Sequence, residues 1–376
     1  MKPLLVQLAR LGGAVLALYA ALLVITLVAV PLARGDAGPL DASRAASSLY
    51  LTEPKYVFME RGRLNTPTDK VLVLGASNSL VGFKQAELQR LLPDREVHNI
   101  SVGGSNITQL GQIVELVREV QTPAARRHDT YVLGLWYGVF ASDQARWYTP
   151  DRHAGDTDID IERYRYGFFR RGESGAVPLL PPRFLSSGAA LIHPYLVADQ
   201  LARDVTQSLR ERLSGKPHKL TDQERNARVV SDAERQQYLA FWRNYMGSVD
   251  SLADAPFARL RRTVDAIRAD GGKVVLVEMP IPRWHAQGST LHADYERRMA
   301  QLLPELEALD GVAVLRLSGD DDDDFSDEVH PKPRVTPRWA EELAALPLFH
   351  DDNQREDHEY RSTLRQADAG FSRRIR

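Results

Sequence analysis

The stretch Val71-Leu-Val-Leu-Gly-Ala-Ser-Asn-Ser79 decides the fold class of this chain. Its leading apolar residues are typical of a buried strand, and the glycine after them predicts a sharp turn at the strand's carboxyl end. In an open α/β sheet, ligands bind at that edge. Ser77 is expected on the turn, at the start of a helix, where free N–H groups stabilise negative charge. Two interpretations stay open at this point: a nucleophile, or a serine that only caps the helix.

An alternation of strand and helix continues along the chain. Further strands are predicted at 97–102, 131–136, 273–279 and 312–317. Helices are predicted at 83–92, 106–120, 257–268, 295–306 and 339–346, with two more at 194–213 and 233–246. This order favours an α/β fold with a five-stranded parallel sheet and helices on both faces. The alternation stops after the third strand, which predicts a largely helical insertion there.

The composition is that of a globular protein with little net charge. Of 376 residues, 43% are hydrophobic and 26% are charged, and the formal net charge is −2. This balance gives no global attraction to nucleic acid. Cysteine does not occur, which excludes disulfides, thiolate metal sites and cysteine nucleophiles. Serine, histidine and carboxylate chemistry remain.

Residues 11–32 form an apolar run without a charge, with Lys2 and Arg10 before it and Arg34 after it. A helix of that length spans a bilayer, whereas the apolar core of a cleavable signal peptide is usually around 7–15 residues. We therefore predict an uncleaved, single-pass signal-anchor. The positive-inside rule keeps its amino terminus in the cytoplasm and places the rest of the chain outside. For a bacterial protein, that means an inner-membrane anchor and a periplasmic domain.

Composition and patterning divide the chain into five parts. These are the anchor (1–34), a linker and lead-in (35–67), an α/β domain in two pieces (68–140 and 255–347), the helical or irregular insertion (141–254) and a charged tail (348–376).

A second informative stretch, Phe325-Ser-Asp-Glu-Val-His-Pro-Lys332, follows the fifth predicted strand. A serine nucleophile needs a base to take its proton, and His330 has a suitable reference pKa. A carboxylate on the other ring nitrogen, here Asp327, fixes the tautomer and stabilises the imidazolium. The alternative is a polar loop beside the acidic run 320–324, because Asp-x-x-His by itself is common.

A third stretch, His98-Asn-Ile-Ser-Val-Gly-Gly-Ser-Asn106, ends a predicted strand with two glycines ahead of a helix. Neighbouring parallel strands open onto one edge, so a backbone N–H here can point at the same site as Ser77. The N–H groups of Ser77 and Gly104 are therefore candidates for an oxyanion hole. The alternative is a helix start that simply needs glycine.

Together these stretches resemble the SGNH (GDSL-like) hydrolase superfamily. The matching residues are Gly75 and Ser77 in its first block, Asn99 and Gly104 in its second, and Asp327, His330 and Pro331 in its last. The resemblance covers roughly 68–140 and 255–347. It implies a flavodoxin-like, three-layer α/β fold and a triad in which Ser77 attacks, His330 is the base and Asp327 orients His330.

The third block of that family departs from its usual Gly-x-Asn-Asp, whose Asn side chain lines the oxyanion hole. Trp136 and Tyr137 stand at the Asn and Asp positions. The Trp136 indole, Asn78 or Asn106 could replace the missing donor. The departure argues against ordinary fast esterase activity. The chain looks closer to membrane-anchored SGNH proteins of alginate O-acetylation and teichoic acid D-alanyl transfer.

That resemblance implies an extracytoplasmic enzyme that transfers O-acyl groups, acetyl above all, to a cell-envelope glycopolymer or exopolysaccharide. It also implies a membrane-bound acyltransferase as partner. An esterase or deacetylase of the same polymers is an alternative, and so is a non-catalytic SGNH-fold scaffold that binds polymer. We expect no cofactor, no metal and no nucleic acid.

Weaker signals concern substrate binding and metals. Trp136 and Tyr137, with Tyr164 and Arg165 of the insertion, are candidates for binding the polymer, since aromatic faces stack on sugar rings and arginine binds carboxylates or phosphates. Ordinary packing of the insertion is the favoured alternative. Ser79 is a fallback nucleophile. The acidic run 320–324 lacks the spaced ligands of a calcium loop, so a solvated loop is favoured over a metal site.

Overall fold

A five-stranded, all-parallel sheet forms the centre of the domain, in the order β2-β1-β3-β6-β7. The strands, including a separate antiparallel hairpin β4–β5, are β1 (Lys70–Leu74), β2 (Glu96–Asn99), β3 (Asp129–Leu135), β4 (Phe169–Gly172), β5 (Gly175–Pro178), β6 (Lys273–Glu278) and β7 (Val312–Arg316). The five strands predicted for the sheet are confirmed, and so is their parallel arrangement.

The structure is a computed structural model. It describes residues 2–29, 57, 61–140, 169–172, 175–178, scattered positions between 191 and 209, and residues 220–246, 249–319 and 321–350. Most of the predicted insertion and the whole charged tail beyond 350 lie outside these residues. The predicted helix at 194–213 is described only at the scattered positions.

Helices connect the strands and flank the sheet. They are α1 (Lys2–Ala29), α2 (Arg61–Leu64), α3 (Ser77–Gly82), α4 (Gln85–Leu91), α5 (Ile107–Val120), α6 (Pro123–Arg126), α7 (Asp222–Ala227), α8 (Asp232–Tyr245), α9 (Asp254–Ala269), α10 (Arg283–Gly288), α11 (Thr290–Glu307) and α12 (Thr336–Ala344). Every residue of β1 and β3 is buried, as expected of inner strands covered on both faces. Helix α5 packs against α9, and α12 packs against α3 and α4.

The structure differs from the predicted helices in one place that positions the site. The helix that begins at Ser77 was predicted to continue through 83–92, but the chain forms two short helices, α3 and α4, with Phe83 and Lys84 between them. Gly82 ends α3 directly beneath the Trp339 ring of α12, where a Cβ would come within 2.9 Å of that ring. The close approach of α12 to α3 therefore depends on a residue without a side chain.

The folded domain continues slightly past residue 347. Pro347–Phe349 forms a turn of 3₁₀ helix, and Phe349 is buried. The Arg95 guanidinium lies 5.5 Å from the centre of the Phe349 ring. This cation–π contact fastens the end of the domain to the segment that leads into β2.

Helix α1 is long and apolar enough to cross a membrane. Its segment Pro3–Ala29 has a mean hydropathy of 2.5. These properties support membrane anchoring through the amino terminus, although a signal sequence shares them.

Candidate active site

Ser77 begins α3 at the carboxyl end of β1, as predicted. Its side chain is partly exposed, whereas Asn78 and Ser79 after it are fully buried. The Ser79 hydroxyl lies between Gly75 and Gly134, and a Cβ at either glycine would overlap it. Ser79 is therefore enclosed between the β1 turn and β3, and Ser77 is the serine of this turn that a substrate can reach.

The Gly103-Gly104 loop is held against the Ser77 turn by one carbonyl. The oxygen of Gly75 accepts from the Val102 backbone N–H and from the Ser105 hydroxyl, each at 2.9 Å. Gly104 has φ +74°, in the left-handed region that favours glycine. Within the described part of the chain, the N–H groups of Ser77 and Gly104 donate to no acceptor. Both are available to an anionic oxygen.

A Cβ added to Gly103 would lie 3.9 Å from the Ser77 Cβ, which puts this loop in van der Waals reach of the serine. Asn99, the other residue matched to the second block, has a structural role. Its Nδ2 donates to the Phe83 carbonyl at 2.6 Å. That bond fastens β2 to the break between α3 and α4. Asn99 therefore stabilises the segment that follows the Ser77 helix, α3.

Asp327 and His330 lie in one turn and are hydrogen-bonded to each other through both side chain and backbone. The His330 Nδ1 lies 2.8 Å from Asp327 Oδ2 and 2.9 Å from Oδ1. Asp327 Oδ1 also accepts the backbone N–H groups of Val329 (3.0 Å) and His330 (2.8 Å). Because the carboxylate only accepts, Nδ1 carries the proton, and Nε2 is left as the acceptor that a base needs.

The electrostatics of this turn suit a base. Burial lowers the pKa of His330, but the hydrogen bond and the charge of Asp327 outweigh it, so the pKa is raised above its usual value. Burial raises the pKa of Asp327, yet the His330 contacts and two backbone N–H bonds leave it lowered. Asp327 is thus ionised at neutral pH and stabilises the imidazolium.

Helix α12 packs against both α3, which begins at Ser77, and the segment that leads into the His330 turn. Its Trp339 packs on Gly82 of α3 and lies with its ring 6.4 Å from that of Phe325, at the start of the turn. The Ser77 hydroxyl makes no hydrogen bond within the described residues, to His330 or to any other group. The structure therefore brings Asp327 and His330 into contact, and the third member of the triad stays a prediction.

Three side chains near the turn carry a donor that could replace the missing carboxamide: Asn106, Asn78 and Trp136. Asn106 caps α5, where its side chain accepts from the Gln109 N–H at 3.1 Å. Asn78 accepts from the Ser79 N–H at 2.9 Å. The Asn78 Nδ2 and the Trp136 Nε1 are buried, and neither has a partner among the described residues. Both groups are enclosed, whereas the backbone N–H groups of Ser77 and Gly104 belong to a partly exposed and an exposed residue.

Trp136 and Tyr137 are only 4% and 1% exposed, so they present no open aromatic face to a polymer. They belong to a cluster of rings that sequence reasoning did not find. Its members are Trp136, Tyr137, Trp242, Trp284 and His285. Tyr137 also lines a cavity of about 390 Å³ between α8 and the start of α11. Tyr164 and Arg165 lie outside the described residues.

The acidic run is occupied by the chain's own cations. Asp323 binds Lys332 at 2.8 Å and Arg334 at 2.6 Å, and Asp324 binds Arg338 at 3.1 Å. No group of acidic and histidine side chains within the described residues could hold a metal ion. These ion pairs fasten the segment before the Asp327 turn to the segment after it.

Comparison with protein-family models and with curated proteins found no match to this chain.

Proposed function

We propose that this protein is a membrane-anchored serine acyl-ester enzyme of the SGNH type, with Ser77, His330 and Asp327 as its triad. One observation carries the proposal: the Asp327–His330 turn holds an imidazole with its proton on Nδ1 and its Nε2 ready to accept. An accessible serine at the carboxyl end of β1, beside two free backbone N–H groups, supports it.

The reaction has two halves. The Ser77 oxygen attacks an acyl carbonyl while His330 Nε2 takes the hydroxyl proton, and the oxyanion binds the N–H groups of Ser77 and Gly104. The tetrahedral intermediate expels the leaving alcohol, which takes the proton from His330. A sugar hydroxyl then attacks the acyl-serine and gives its proton to His330. The second tetrahedral intermediate breaks the bond between the acyl carbon and the Ser77 oxygen, which takes the proton back from His330, and the sugar leaves as the O-acyl ester.

We propose a cell-envelope glycopolymer or exopolysaccharide as the acceptor and an acetyl group as the acyl group. The apolar helix α1 supports a location at the membrane. The positive charges of Lys2 and Arg10 before its apolar run favour a domain in the periplasm. There a membrane-bound acyltransferase would be a suitable partner for supplying the acyl group. Trp136 and Tyr137 stand where a fast esterase of this family has Asn and Asp, which supports transfer over hydrolysis.

The nucleophile is tested with a fluorophosphonate, which labels activated serines, on the full chain in membranes. Labelling of the wild type is expected, and Ser77→Ala is expected to abolish it. Ser79→Ala is the matched control, since it removes a buried hydroxyl two residues away and should keep the label. Labelling that survives in Ser77→Ala contradicts the assignment. A wild type that takes no label favours the non-catalytic scaffold.

Transfer is separated from hydrolysis by product analysis. An activated acetyl ester is supplied with and without polysaccharide, and we expect the acetyl group on the sugar in a Ser77-dependent manner. Release of free acetate alone, unchanged by the polymer, would identify an esterase instead.

A further inference from the structure

Tyr137 and His285 form a hydrogen-bonded chain that ends on the His330 turn. The Tyr137 hydroxyl lies 2.6 Å from His285 Nε2, and His285 Nδ1 lies 2.7 Å from the backbone carbonyl oxygen of Glu328. A carbonyl can only accept, so Nδ1 carries the proton and Nε2 accepts from the tyrosine hydroxyl. The donors of both hydrogen bonds are thereby fixed: the Tyr137 hydroxyl donates to His285, and His285 donates to the Glu328 carbonyl.

The surroundings keep this arrangement in one protonation state. His285 is fully buried, its ring stacked 5.4 Å from Trp284 and edge-on to Tyr137 at 5.5 Å. Burial lowers the pKa of His285 to about 4, so the imidazole is neutral above that pH. A neutral imidazole donates once and accepts once, as both bonds require.

The carbonyl that His285 holds belongs to the residue directly after Asp327. Inside the turn, Asp327 fixes the N–H groups of Val329 and His330. Those bonds shape the turn but do not place it relative to the sheet. The bond from His285 to the Glu328 carbonyl ties the turn to the sheet, because Tyr137 lies two residues past the end of β3 and His285 lies on α10, which follows β6.

We propose that Tyr137 and His285 are positioning residues that hold the Asp327–His330 turn at the carboxyl edge of the sheet. For its catalytic consequence, this inference rests on the proposed function. Tyr137 stands at the Asp of the SGNH third block, one residue after the position of the oxyanion-hole Asn. In this chain it acts on the Asp327–His330 turn through His285.

The test measures the His330 titration by NMR in the full chain, with histidine isotope-labelled and His330 assigned by the loss of its signal in His330→Gln. Besides Asp327, the charged groups that act on His330 are Glu328 and Arg225 of α7. Tyr137→Phe removes the hydroxyl that donates to His285 Nε2 and fixes the proton on Nδ1, so His285 no longer holds the Glu328 carbonyl in one orientation and the Asp327–His330 contact loosens. The His330 midpoint is then expected at least about half a pH unit below wild type.

Tyr295→Phe is the matched control. The Tyr295 hydroxyl is also buried but has no partner in the described part of the chain, so its removal should leave the His330 midpoint unchanged. Rescue is tested at 285: His285→Gln keeps one donor and one acceptor, and should stay closer to wild type than His285→Leu. A loss of packing alone would lower the melting temperature without moving the midpoint.

Two outcomes overturn the inference: a His330 midpoint in Tyr137→Phe equal to that in Tyr295→Phe, or equal midpoints in His285→Gln and His285→Leu. Neither depends on activity. The rate of fluorophosphonate labelling supplies the catalytic readout, expected to fall about tenfold or more in Tyr137→Phe. If the wild type takes no label, the proposed function fails while the His330 titration still decides the positioning role.

Discussion

Replacing Asp327 by asparagine is expected to lower the rate of Ser77 acylation by about 10³–10⁴-fold. Asparagine can still accept the N–H groups of Val329 and His330, so the turn should remain folded. Its amide would, however, donate to His330 Nδ1, which moves the imidazole proton to Nε2. The nitrogen that must accept from Ser77 would then carry a proton already.

The same substitution should shift the pH dependence. In the wild type the rate is expected to rise with pH as His330 loses its proton, with a midpoint above the usual value because Asp327 raises that pKa. Without the carboxylate the midpoint should fall. Labelling rates across pH 5–9 measure both effects, and Asp265→Asn on the exposed side of α9 is the control. An unchanged midpoint in Asp327→Asn would remove Asp327 from the triad.

Replacing Lys70 by methionine is expected to reduce the free energy of unfolding by about 3–5 kcal/mol. Lys70 is fully buried at the start of β1, and its ammonium donates to the carbonyls of Thr66 (2.6 Å) and Thr68 (2.8 Å). It also lies 3.9 Å from Asp129, which is equally buried. Methionine fills the volume but leaves those carbonyls and the carboxylate without their cation.

The effect should grow with pH. Burial raises the pKa of Asp129 to about 7, with Lys70 opposing the rise, so the folded state binds this proton more tightly than the unfolded state does. The protonated Asp129 carboxyl contributes its full stability below the pKa of the unfolded state, near 4. That contribution is lost as the pH rises towards the pKa of the folded state, about 7. In Lys70→Met the folded pKa is higher still, and the loss should continue above pH 7.

Urea unfolding of the full chain in detergent, followed by tryptophan fluorescence, measures these differences. Lys84→Met is the matched control. Its ammonium lies at the same 3.9 Å from a carboxylate, that of Asp222, but both side chains are substantially exposed. Such a pair contributes only about 0–1 kcal/mol. Equal losses in the two variants would show that burial does not govern the Lys70 pair.

Much of the fold follows from local pattern. The Val- and Leu-rich runs of β1, β3 and β6 predict buried parallel strands, and the period of 257–268 predicts α9. The break between α3 and α4 could not be predicted, because it arises where Gly82 meets Trp339 from a helix more than 250 residues later. The ion pairs of Asp323 with Lys332 and Arg334 could not be predicted either, because a run of acidic residues looks the same in sequence whether its side chains are solvated or paired.

By itself, the sequence determined the α/β class, the apolar amino-terminal helix and the Asp-x-x-His turn, because each depends on residues close together in the chain. Tertiary structure alone decided that Ser79 is enclosed, that Trp136 and Tyr137 are buried, and that His285 bonds the turn carrying His330. Nothing near His285 in the sequence indicates that role. Its partners come from the ends of other elements, and hydrogen bonds between distant segments leave no local periodicity in the sequence.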